Sequence, residues 1–214
     1  MSGLFPHAVV RATAELGALR GAGGSRLERI VHDGLALVGE RAEGLPPTAA
    51  PEAFMDAVSD VASATGGACV PMRAVSDVVA PRDAAAFLRA GRERLVRLLD
   101  WVSGKEEWSV AVRPFAPETR GGPIGDGGAY LDRRRRELAS ADGVPASLVD
   151  AATGVQRALA PIVAATRCYG APGGATVAAL VETERAEELE RLAEERGWAL
   201  AGPYPAFSFV SLTA

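Results

Sequence analysis

The chain holds a single lysine, Lys105, and no asparagine, while alanine and arginine abound. That skew reflects a high-GC codon bias rather than chemistry. Cysteine is nearly as scarce: Cys69 and Cys168 stand far apart, too few for a disulfide framework and without zinc-ligand spacing. Both are expected as buried free thiols, since free cysteine is among the most buried residue types. His7 and His32 are the only histidines, and apart from Asp33 beside His32 neither has a neighbour at ligand spacing, so no metal is expected. Apolar runs are short and broken by charge, well under the ~20 residues of a spanning helix, which excludes a membrane-crossing segment. Met1 to Val10 lacks a basic start, a signal-length apolar core and a small-residue cleavage site, so a cytoplasmic location is expected. A net charge of −4, with basic residues scattered, gives nucleic acid no basic field to bind.

What is present suits a folded chain. Its 214 residues fit one large domain or two small ones, and 48% hydrophobic with 23% charged residues is close to the globular average. Alternation over His7 to Arg11 predicts a first strand, and Thr13 to Arg20 a short helix ended by the glycines at 21, 23 and 24. Leu27 to His32 and Leu35 to Arg41 flank Asp33-Gly34, a strong hairpin signal because both residues tolerate positive φ. Glu52 to Ala64 sets Phe54, Val58 and Val61 at helical spacing, and Cys69 to Val75 reads as a strand. The order is β-α-β-β-α-β.

A second series starts near Pro81, where Asp83 can cap a helix running to Val102 with Leu88, Leu95, Leu99 and Val102 on one stripe. Gly104 stops it, and Trp108, Val110 and Val112 alternate as a half-buried strand. Pro114 to Gly128 reads as a long loop. Tyr130 to Ala141 and Ala146 to Tyr169 are helical in composition around Asp142-Gly143-Val144-Pro145, with Pro161 set to kink or divide the second. Thr176 to Val181 suits a central strand, Glu184 to Arg196 a charged helix, and Ala206 to Leu212 a last strand. The expectation is an α+β protein of two ferredoxin-like domains, residues 1–78 and 79–214, meeting near residues 76–82. The second carries an inserted helical hairpin at about 128–169.

Chemical motifs are missing or incomplete. The glycines at 121–128 and 170–174 lack a phosphate-cradling pattern, and there is no Gly-x-Ser-x-Gly elbow. Glu106 and Glu107 are adjacent, so on a strand they point to opposite faces and cannot share a proton as a catalytic pair. No catalytic residue, cofactor site or metal site is therefore expected. Arg133, Arg134, Arg135 and Arg136 turn ~100° per residue on a helix and cannot all face one partner. They read as a solvated face, or, through Arg133, Arg134 and Arg136, as a docking patch for an acidic partner. From Gly202 to Phe209, prolines interleave with aromatics and predict a rigid lead into an edge or terminal strand.

Three stretches carry a family resemblance: Gly104-Lys105-Glu106-Glu107-Trp108-Ser109-Val110, Gly128-Ala129-Tyr130-Leu131, and Gly202-Pro203-Tyr204-Pro205-Ala206-Phe207-Ser208-Phe209-Val210. Together they resemble the GvpF/GvpL family of gas vesicle proteins. The first is similar to its Gly-x-x-Glu-Trp segment, the second to its Ala-Tyr-Leu helix start, the third to its Gly-Pro-Trp-Pro-Pro-Tyr-x-Phe terminus. Tyr204, Ala206 and Phe207 replace tryptophan, proline and tyrosine there. Val70-Pro71-Met72-Arg73 resembles the family's Leu-Pro-x-Arg-Phe-Gly segment, with Ala74-Val75 where Phe-Gly is usual. The resemblance implies a divergent, non-enzymatic accessory protein in gas vesicle assembly, in the cytoplasm and at the vesicle. Its partners would be the small gas vesicle shell protein and other accessory proteins, with neither nucleic acid nor membrane. Two alternatives stay open, because a ferredoxin-like scaffold does not name its function: a small ligand-binding or enzymatic protein, and a regulatory dimer.

Overall fold

At the Asp33-Gly34 turn both residues take positive φ, 48° and 79°, the combination a two-residue hairpin turn of type I′ requires. It joins β2 (Leu27–His32) to β3 (Leu35–Glu43) in antiparallel register from His32 opposite Leu35 to Leu27 opposite Glu40. The computed structural model describes residues 2–43, 51–73, 78–112, 146–171 and 174–210. Among them β1 (Ser2–Arg11) pairs with β3 and with β4 (Cys69–Pro71), giving a sheet of order β2-β3-β1-β4. The register of β1 on β3 shifts between Pro6 and Ala8, so His7 is the extra residue of a bulge.

Alternation along β3 fixes what covers each face. Ala36, Val38 and Ala42 join Phe5, Ala8 and Val10 in a core closed by Phe54, Val58 and Val61 of helix α1 (Pro51–Ala64). Leu35 and Leu37 belong to the opposite face. Helix α2 (Pro81–Val102), with Leu88, Leu95 and Leu99 buried, packs against all four strands of the sheet. Pro81 occupies the first turn of α2 and Ala80 is its N-cap, so Asp83 lies inside the first turn and is not the cap.

A second sheet has the order β6-β7-β5-β8, with β5 (Lys105–Val112), β6 (Ala165–Ala171), β7 (Gly174–Glu182) and β8 (Ala199–Tyr204). Helix α3 (Ala146–Leu159) and helix α4 (Ala186–Arg196), the latter after a short 3-10 turn at Thr183–Arg185, contribute Leu148, Ala152, Val155, Leu159 and Leu189 to its core. From the sheet come Trp108, Val110, Val112, Ala175, Val177, Ala179 and Val181. The chain is thus α+β with two four-stranded antiparallel sheets. Taken in chain order, the strands of each sheet lie second, third, first, fourth.

The compact units are residues 1–107 with 203–214, and residues 108–202. This differs from the division at 76–82, because the leucine stripe of α2 serves the first sheet. Several expected elements also differ. Thr13 to Arg20 is not helical: residues 12–26 form turns, closed by an Arg20–Arg26 bridge and with Gly17 at φ 53°. The helix from Ala146 ends at Leu159, Pro161 stands in a turn, and Cys168 and Tyr169 belong to β6. Cys168 is exposed there, while Cys69 is buried as expected. The last strand is β8, and Phe207–Val210 forms a short helix, α5. The first helix of the expected hairpin, from 130 to 141, lies outside the described residues.

Candidate functional site

Two of the three sequence motifs converge within the first compact unit. Glu107, only 4% exposed, accepts a hydrogen bond from the Ser208 amide at 2.7 Å and another from the Ser208 hydroxyl. Ser208 is the second residue of α5, so the carboxylate takes up one of the amides that a helix start leaves without an intrahelical partner. A strand residue of the Gly104 to Val110 stretch therefore anchors the chain's terminal segment, 101 positions later.

Around this clasp the backbone is tightly specified. Gly104, at φ 68°, donates its amide to the Gly66 carbonyl, and a Cβ on Gly67 would sit 2.8 Å from the Lys105 carbonyl oxygen. The turn after α1 is thereby held to the turn between α2 and β5. Gly202 takes φ 147°, a region that favours glycine, and brings Pro203 to Pro205 round to α5. Pro205 and Ala206 are buried, as are Phe209 and Val210. Phe209 meets Trp101 edge to face at 6.1 Å between ring centres, leaving Trp101 38% exposed. Tyr204 is 37% exposed.

The structure separates the remaining motif residues. Trp108 is 6% exposed and belongs to the core of the second unit, the packing role its alternation with Val110 and Val112 indicates. Ala129, Tyr130, Leu131, Arg133, Arg134 and Arg136 lie outside the described residues.

A second buried polar group escaped the sequence reading. His7 and Glu40 are 0% and 1% exposed, with His7 Nε2 3.6 Å from Glu40 Oε1. His7 Nδ1 lies 3.0 Å from the Phe5 carbonyl, Nε2 accepts from the Ala22 amide at 3.1 Å, and Glu40 accepts from the Gly23 amide at 2.8 Å. The ring, with Nδ1 donating and Nε2 accepting, is neutral, stacked on Phe54 at 5.1 Å. Burial lowers the His7 pKa, opposed by the Phe5 hydrogen bond and the Glu40 charge. The signal was available: Glu40 shares the core-facing phase of Ala36, Val38 and Ala42.

These groups hold the glycine-rich segment 21–24 and helix α5. Cys69 is pushed up to about 12 by burial, away from nucleophilic use. A cleft of about 450 Å³ in the second unit is lined by Ala111, Val112, Ala151, Val155, Gly197, Trp198 and Ala199, none of them ionisable. Among the described residues no three His, Cys, Asp or Glu side chains gather as a metal site, and no helix is long and apolar enough to cross a membrane.

The sequence model of a family described as gas vesicle synthesis protein GvpL/GvpF matches residues 3–211. In fold the chain is similar to the crystal structure of gas vesicle protein GvpF from Anabaena sp. PCC7120. The TM-score is 0.73 at 13% identity, over 100% of this chain and 98% of that one. It is similar also to GvpF from Microcystis aeruginosa, with a TM-score of 0.72 at 12% identity, over 98% and 99% of the two chains. No curated protein matches by sequence.

Proposed function

Because the chain belongs to the gas vesicle synthesis protein GvpL/GvpF family, we propose that it is a non-enzymatic accessory protein of gas vesicle assembly. On this reading it works in the cytoplasm and at the vesicle, binding the small gas vesicle shell protein and other accessory proteins. The observation that carries the proposal is the family match, which runs from residue 3 to residue 211 and so includes both compact units. The use of His7, Glu40 and Glu107 in internal hydrogen bonds is in keeping with a binding protein. We also read the second unit as ferredoxin-like, on the strand order β6-β7-β5-β8 with α4 between β7 and β8.

For docking, the arginines 133, 134 and 136 supply charge that steers an acidic partner, an attraction that weakens as salt brings the screening length to ~8 Å. The test is capture of the shell protein by the intact chain, compared with a variant carrying Arg133→Gln, Arg134→Gln and Arg136→Gln. The intact chain should capture it at low and physiological salt. The variant should keep the circular dichroism spectrum of the intact chain and should capture less. Failure of the intact chain at both salt levels refutes shell binding; normal capture by the variant refutes the patch.

A further inference from the structure

The solvent faces of α2 and α4 carry opposite charge in matching patterns. On α2, Arg89, Glu93 and Arg97 follow at four-residue intervals, all exposed, a plus-minus-plus row. On α4, Glu187, Arg191 and Glu195 follow at the same intervals, all exposed, a minus-plus-minus row. Each row spans about 12 Å at ~1.5 Å per helical residue. Both lie away from the buried stripes, Leu88, Leu95 and Leu99 in α2 and Leu189 and Ala193 in α4.

Beyond its charge, α2 offers a seat. A groove of about 430 Å³ is lined by Arg89, Ala90, Arg92, Glu93, Arg94 and Arg97. Exposed Ala90 lies in the groove between Arg89 and Arg94, with exposed Ala86 one turn before it, low points on the α2 surface beside the arginines. The described residues leave most of this charge unused. Arg97 reaches Glu93 at only 3.8 Å and Arg92 reaches the Asp33 carbonyl at 3.4 Å, while Arg89, Arg94, Glu187, Arg191 and Glu195 make no ion pair among them.

We infer that α2 of one chain docks on α4 of a second copy, the arginine row against the glutamate row, with Glu93 facing Arg191. The two surfaces are different patches of one chain, so each copy offers one α2 face and one α4 face, and their pairing gives species heavier than a single chain. Ion pairs at an exposed interface contribute little each, so the association is weak, fast and sensitive to salt. It is independent of shell-protein binding.

Sedimentation velocity on the full chain should show species heavier than one chain at low salt, retreating towards single-chain mass as salt rises. Reversing α2 alone, with Arg89→Glu and Arg97→Glu, or α4 alone, with Glu187→Arg and Glu195→Arg, should leave single-chain mass and an unchanged circular dichroism spectrum. Mixing the two reversed variants should restore the heavier species, because an acidic α2 then meets a basic α4 and the reverse. Should either reversal unfold the chain, the neutral changes Arg97→Gln and Glu187→Gln must each lower the heavier fraction at equal concentration. A wild-type chain of single-chain mass at low salt overturns the inference, as do a reversed mixture that stays at single-chain mass and neutral variants that associate like wild type.

Discussion

His7 sits at the one irregular point of β1, and its surroundings make it a pH-dependent element of stability. The folded ring is neutral because burial lowers its pKa below the ordinary 6.5, and the Phe5 hydrogen bond and the Glu40 charge only partly oppose this. Unfolding restores the ordinary value, so below about pH 6.5 the unfolded chain binds more protons than the folded one. The His7 contribution is therefore complete above that pH and is lost as pH falls towards the folded pKa. Urea midpoints measured from pH 8 to pH 5 should fall on the acid side, and His7→Gln should flatten that slope while lowering the plateau. An identical slope in wild type and variant would disprove it. A histidine among Phe5, Ala8, Val9 and Val10 says that something polar is buried; that its partners are the Ala22 amide and Glu40 depended on how the segment after β1 folds back.

Elements with local signals were legible. The Asp33-Gly34 hairpin, the α1 and α2 stripes and the alternation of β5 needed nothing beyond periodicity and turn chemistry. Where a segment's conformation depends on a distant group, periodicity misled. Ala206 to Leu212 reads as a strand, yet the Glu107 carboxylate receives the Ser208 amide and hydroxyl and holds a helical turn at Phe207–Val210. Glu107→Ala should leave both donors without their acceptor and cost about 1–3 kcal/mol in chemical denaturation. Glu107→Gln, which keeps an acceptor oxygen, should cost less. Equal midpoints for wild type and Glu107→Ala would show that the clasp contributes nothing. β8 was overlooked for another reason: alanines with Gly202 and Pro203 have weak strand propensity, and proline in a sheet is tolerated at an edge such as β8 occupies.

At the scale of the whole molecule, the first compact unit is discontinuous in sequence, with residues 203–214 joining residues 1–107. Ala206, Phe209 and Val210 are buried in it, and full burial of a side chain the size of Val or Phe stabilises by about 1.5–3 kcal/mol. Deleting residues 203–214 should accordingly lower the denaturant midpoint by more than Glu107→Ala does. The same deletion strips Trp101 of its Phe209 partner, which should shift tryptophan emission to the red. An unchanged midpoint and spectrum would show that the terminal segment is dispensable to the first unit. The sequence by itself determined the α+β class, the strand-rich series on either side of α2, and the family, because periodicity, turn residues and short motifs act over a few neighbouring positions. Only tertiary structure decided that α2 serves the first sheet, that residues 203–210 return to it, and that His7, Glu40 and Glu107 are buried among backbone donors. Those outcomes rest on pairings between distant positions, such as Glu107 with Ser208, that no local pattern encodes.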